Sequence, residues 1–127
     1  MHSRIDPPSI APPAANYAHA VLSASPSRWL HTSGVVPVAP DGTVPDDLAA
    51  QAETVWANIA AMLDEAAMTV DDLVSVTTYA VAGADLATIM SARDRTLGDH
   101  LCASTLVVVP ELAQPGWRME IAVVACA

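Results

Sequence analysis

The sequence predicts an α+β domain in which two helices cover one face of a sheet of four or more strands. Three observations lead there. Apolar residues between Asp46 and Ala67 recur at three- and four-residue steps, as on a helix that buries one face. Leu73 to Val81 is dense in Val, Thr and Tyr, and the last quarter of the chain holds two more apolar runs, Ser104 to Val109 and Met119 to Cys126. The order that results is strand, strand, helix, strand, helix, strand, strand.

Each element has a local reason. The first fifteen residues are dotted with proline, in Asp6-Pro7-Pro8 and Ala11-Pro12-Pro13, and form an N-terminal segment before the strands begin. Tyr17 to Leu22 and Trp29 to Val38 read as strands, and Ala39-Pro40-Asp41-Gly42 is a turn. The first helix has Leu48, Ala52, Val55, Trp56, Ile59, Leu63 and Ala66 on its apolar face and is capped by Asp46 or Asp47. It spans about 30 Å at ~1.5 Å per residue. Gly83-Ala84-Asp85 then ends the third strand and caps a second helix, whose stripe is Leu86, Ile89, Met90, Arg93 and Leu97 and which stops near Gly98. The last two strands are joined through Pro110 and Pro115-Gly116. A length of 127 residues fits one domain, residues 1–127, large enough to bury a core.

Leu106 to Val109 and Ile121 to Ala125 are apolar at successive positions, so these strands want cover on both faces. Two helices supply one cover. The other is expected from a second copy, giving a closed homo-oligomer with ligand clefts between subunits.

Charge and composition remove several classes. Five basic residues face 14 acidic ones, a formal net charge of -9, so no clustered positive face exists to neutralise the phosphates of duplex nucleic acid. Cys102 and Cys126 have no metal-ligand spacing and form no disulfide framework, which fits a reducing compartment and no metal. The proline-rich opening lacks the apolar core of a signal peptide, and no apolar run reaches the ~18 residues of a membrane span. A soluble cytoplasmic protein with no membrane partner is the expectation.

Glu120 is the first candidate for chemistry, because it stands at the mouth of an apolar strand. A buried, unpaired carboxylate costs several kcal/mol, so the chain exposes it, pairs it or uses it. By alternation it shares a face with Arg118 and Ala122, while Met119, Ile121 and Val123 point the other way. It is either a general acid/base that positions a water or one half of a strand-end ion pair with Arg118. Tyr17 and His19, two apart on one strand, either line a cleft and move protons or form a strand-edge pair. Ser33-Gly34 either aims backbone N–H groups at an anionic ligand or forms a bulge. Cys102 reads as a small buried hydrophobe rather than a nucleophile, since only His100 is near it in sequence. Ser104 lacks a nucleophile elbow and is structural or a hydrogen-bonding wall of the cleft. Trp29, Trp56 and Trp117 read as core or interface anchors.

The chain resembles the Rid family (YjgF-type reactive intermediate deaminases, also called endoribonuclease L-PSP-like) over nearly its full length. The carriers are Asn16-Tyr17-Ala18-His19-Ala20-Val21, like the family's Tyr-Ser-Gln-Ala-Val strand, and Thr32-Ser33-Gly34-Val35-Val36-Pro37, like its Ser-Gly-Gln-x-Pro turn. Gln51 with Asn58 and Ile59, Ala103-Ser104-Thr105-Leu106-Val107, and Met119-Glu120-Ile121-Ala122 complete the match. The resemblance implies a chorismate-mutase-like fold, with a mixed sheet and two helices on one face, assembled as a homotrimer with three inter-subunit clefts. It also implies hydrolysis of imines or enamines such as 2-aminoacrylate to ketoacids and ammonia, without metal or organic cofactor.

Three departures qualify the activity. Deaminating archetypes carry Pro-Ala-Arg-Ser, whose arginine grips the substrate carboxylate in bidentate fashion, where this chain has Leu101-Cys102-Ala103-Ser104. The second-helix asparagine and tyrosine of many members correspond to Met90 and Arg93, and the loop after His100 is a few residues shorter. The first expectation is therefore a hydrolase of imines, enamines or related conjugated compounds that uses water held by Glu120, with Tyr17, His19, Ser33, Gly34, Ala103, Ser104 and Arg118 around the substrate. The second is a non-catalytic small-molecule-binding or interaction trimer. The ribonuclease label attached to some relatives fits poorly with the acidic charge.

Overall fold

The computed structural model describes residues 1–127. In chain order the strands are β1 (His2–Ile5), β2 (Ala20–Ser23), β3 (Trp29–His31), β4 (Leu73–Val81), β5 (Ala103–Val109) and β6 (Met119–Cys126), with helices α1 (Leu48–Glu65) and α2 (Leu86–Leu97). The main sheet is mixed: its order is β3-β6-β4-β5, antiparallel except for the parallel pair β4 and β5 joined by α2. Both helices pack on one face of it. No helix is long and apolar enough to cross a membrane.

The helices begin where the sequence places their caps. Asp47 accepts from the Ala50 N–H at 3.0 Å and Asp85 from the Ala87 N–H at 3.2 Å, each satisfying a donor that the first helical turn leaves free. Gly98, at φ 56°, ends α2 in a backbone conformation that costs other residues energy. Leu48, Val55, Ile59 and Leu63 of α1, with Ile89 and Leu97 of α2, bury against Val76, Ala80, Met119, Ile121 and Val123 of the sheet. Arg93 belongs to that buried face, but as a hydrogen-bonded cation rather than an apolar member.

The first two strands are shorter than their patterns suggest. Tyr17 and His19 precede β2, with only Ala18 bridging to Ala103 of β5. Between residues 32 and 38 the regular ladder stops, leaving the Thr32 N–H bonded to the Val123 carbonyl and one bridge, Val35 to Ile121; Gly34 packs poorly as a strand residue, and Pro37 has no N–H for a ladder. The proline-dotted opening holds an unforeseen strand, β1, paired antiparallel with β2. His2 ties this hairpin to the main sheet, with its ring nitrogens 2.9 Å from Ser23 Oγ and 3.0 Å from the carbonyl oxygen of Cys126.

The doubly apolar strands leave one face and one edge bare. On β6, Met119, Ile121, Val123 and Ala125 are buried under the helices, while Glu120, Ala122 and Val124 on the opposite, outer face are half-buried. On the edge strand β5, Leu106, Val107 and Val108 are all exposed, Val108 by 54%.

Candidate functional site

Glu120 lies on the outer face of β6, directly opposite Tyr79 of β4, which in turn lies opposite Val107 of β5. The other wall is the segment after β3. Val35 and Ile121 exchange both backbone hydrogen bonds, at 2.7 and 3.1 Å, which puts Gly34 diagonally across from Glu120. A β-carbon on Gly34 would fall 1.7 Å from Glu120 Oε2. The carboxylate therefore rests in the space that a side chain at 34 would fill. What approaches Gly34 within this chain is the Glu120 carboxylate.

Arg118 does not pair with Glu120. Its guanidinium donates to the carbonyl of Asp46, and its backbone N–H donates to Gln51 Oε1 at 3.0 Å. The ion pair in the fold is instead Arg93 with Asp94, at 2.9 Å. Glu120 is thus a half-buried carboxylate with no cation against it, beside a phenol and a glycine.

The remaining candidates gather elsewhere. The Tyr17 and His19 rings meet edge to face with centroids 5.9 Å apart, and the Ala14 N–H donates to Tyr17 Oη at 3.2 Å. His19 Nε2 lies 2.6 Å from the Ala11 carbonyl oxygen. Their neighbour Ala18 pairs with Ala103 at the start of β5, and Ala103 lies opposite Ser75, four positions along β4 from Tyr79. At ~3.3 Å per residue, Ala103 and Glu120 are about 13 Å apart along the strands, with β4 between them. Both are on the outer face. Within one chain the candidates form two groups, Glu120 with Ser33 and Gly34, and Tyr17 with His19 and Ala103.

Ser104 faces the helices. Its Oγ accepts from Arg93 Nη1 at 3.0 Å, and Arg93 Nε and Nη2 donate to Asp94 Oδ1 at 3.1 and 2.9 Å. Three hydrogen bonds and a paired carboxylate hold this buried guanidinium, so its charge is spent beneath β5 rather than offered on the outer face where Ala103 lies. Asn16 joins the network through Nδ2 to Asp94 Oδ2, at 3.4 Å.

Cys102 is buried beside this cluster. Burial pushes its thiol from the ordinary 9.0 up to about 11, against the opposing pull of the Arg93 charge. It is therefore a poor nucleophile at neutral pH. A thiol whose folded value lies above its unfolded one stabilises the fold fully at low pH and loses that contribution as pH climbs from 9.0 toward about 11. In urea titrations the wild type is expected to lose about 2–3 kcal/mol more than Cys102→Ala across that window. Parallel pH profiles of the two would show that Cys102 is not the group responsible.

An open groove of about 810 Å³ runs between the segment after β3 and α1, lined by Leu30, Ser33, Gly34, Val36, Asn58 and Met62 among others. Gly34 thus lies against both this groove and the Glu120 carboxylate. No three His, Cys, Asp or Glu side chains converge as a metal-ligand set. All five basic side chains are arginine, so the chain offers no lysine amine to form a Schiff base. Sequence reasoning missed Tyr79, which has no motif around it and enters only through the register of β4 on β6.

A family model described as endoribonuclease L-PSP matches residues 9–127. A Yersinia pestis protein, YyfB of the conserved Rid family and of unknown function, has a solved structure that superposes with a TM-score of 0.87 at 30% identity, covering 99% of this chain and 98% of that one. Escherichia coli TdcF, solved with bound serine, gives 0.74 at 26% identity over 95% and 92% of the two chains. The Escherichia coli YjgF product gives 0.72 at 28% identity over 90% of each. No curated protein matches the chain significantly.

Proposed function

The chain belongs to the endoribonuclease L-PSP family, which includes the YjgF and Rid proteins, and on that premise we propose that it hydrolyses imines, enamines or related conjugated small molecules with a water held by Glu120. The observation that carries this reading is the half-buried Glu120 carboxylate, seated on Gly34 with no cation to neutralise it. Glu120 takes a proton as the water oxygen adds to the C=N carbon and returns it to nitrogen, giving a carbinolamine. The carbinolamine hydroxyl proton then passes to nitrogen as the C=O bond forms and the C–N bond breaks, and a carbonyl compound and ammonia leave. With no lysine in the chain, a side-chain Schiff base does not compete with direct attack by water. Serine bound to the TdcF relative supports a small, amino-acid-like ligand, and the charge of -9 argues against RNA as the substrate.

The cleft belongs between copies in this reading. Ring closure of three chains would bring the Glu120 group of one copy to the Tyr17 and Ala103 group of the next, and would cover the bare outer face and the β5 edge. Light scattering at micromolar concentration is expected to give three times the 13.2 kDa chain mass. A stable monomer would remove the inter-subunit site. Free Cys102 and Cys126 support a cytoplasmic setting.

One observation favours a second reading, a trimer that binds small molecules without turning them over. Ala103 offers no charge to a substrate carboxylate, and Arg93 is already paired on the other side of the sheet. Little ammonia is therefore expected from 2-aminoacrylate, with a gain in Ala103→Arg, while imines lacking a carboxylate are the better substrates. A panel of imines generated in situ, followed by ammonia release, decides between the readings: no turnover on any member leaves the binding trimer.

A further inference from the structure

Two amides on one face of α1 hold the two chain segments that meet at Glu120. Gln51 and Asn58 are seven residues apart, about two helical turns, so they point the same way. Gln51 is 1% exposed, and its Nε2 donates to the carbonyls of Pro45 and Gly116 at 2.8 and 2.9 Å while its Oε1 accepts from the Arg118 N–H at 3.0 Å. This clamps the entry to β6 two residues before Glu120. Asn58 Nδ2 donates to the carbonyls of Val36 and Val38 at 3.3 and 3.0 Å, which clamps the other segment two residues after Gly34. Between the clamps the two segments meet at the Val35–Ile121 bridge, and beyond Gly34 the Thr32 N–H donates to the Val123 carbonyl at 3.1 Å.

We infer that Gln51 and Asn58 are positioning residues that set the Glu120 carboxylate against Gly34. The inference rests on Glu120 being the reacting group of the proposed hydrolase. Neither amide touches the carboxylate. Each fixes backbone: pairing with Tyr79 already holds the Glu120 backbone, and the amides add the placement of the β6 entry and of the segment carrying Gly34, against which a long side chain must be set with the sub-ångström precision that chemistry needs. A misplacement of about 1 Å costs on the order of 10² in rate.

The test reads Glu120 directly. The chain has only four glutamates, so full-length protein labelled with carbon-13 at the glutamate carboxyl gives few signals, and Glu120→Gln identifies the one that matters. Asn58→Leu and Gln51→Met are expected to move the Glu120 signal by more than its linewidth, while Ile89→Val in the α2 core lowers the melting temperature and leaves it in place. On an imine substrate, Asn58→Leu is expected to lower kcat by roughly 10- to 100-fold with KM changed less than threefold. If Gln51→Met fails to fold, Asn58→Leu decides alone. An unmoved Glu120 signal in a variant with lowered melting temperature would overturn the inference, since the amide then serves stability only. A moved signal in a protein whose wild type releases no ammonia from any imine sustains the positioning role and defeats the hydrolase reading instead.

Discussion

Glu120→Gln is expected to cut turnover of an imine substrate by roughly 10²–10⁴-fold, the range for loss of a general acid-base group. The melting temperature should barely change. Gln has the same shape as Glu, so it fits the same space over Gly34, and no ion pair is lost because Arg118 donates to Asp46 instead. What disappears is the capacity to take a proton from water. Thermal melting and ammonia release on this one variant separate the roles: a destabilised but active protein would make Glu120 a structural residue.

Gly34→Ala carries the second large effect. Its φ is not in the left-handed region, so alanine meets no backbone penalty there, and the whole consequence comes from one methyl group that would stand 1.7 Å from Glu120 Oε2. The carboxylate has to swing away. Turnover is expected to fall about 10²-fold, as for a reacting group displaced by an ångström. In the Glu120→Gln background the same substitution should cost far less, because two changes that disable one group do not add. Wild-type turnover in Gly34→Ala would mean that the carboxylate is catalytically idle in its present place.

Local chemistry made much of the fold legible. β4 and β6 run over the very residues their Val, Thr and Ile content suggested, and both helices start at the aspartates that satisfy their free N–H groups. The second helix shows the limit: Leu86 is 37% exposed although it sits on the apolar stripe, and Arg93, polar in type, is buried because Asp94 and Ser104 compensate its charge. Burial there depends on a charge-paired neighbour and a hydroxyl on the next strand, which hydrophobic periodicity does not register. The same holds at the candidate site, where alternation put Glu120 and Ala122 on one face but left Arg118 free to be drawn as a partner. A hydrogen bond across to Asp46, 72 residues away, turns that arginine aside. β1 escaped notice because four residues ahead of several prolines carry too little pattern to be read as a strand.

The sheet order has a consequence for how the chain acquires its shape. β6, made after the other strands of this sheet, occupies its middle, between β3 and β4. Until it emerges from the ribosome, β3 lacks its only main-sheet partner and β4 lacks one of two, and the apolar face of α1 has little sheet to close upon. Such long-range pairing has a high contact order, so folding is slow and nearly all-or-none. Loss of the final eight-residue strand would then strip the domain of its keystone rather than trim its edge.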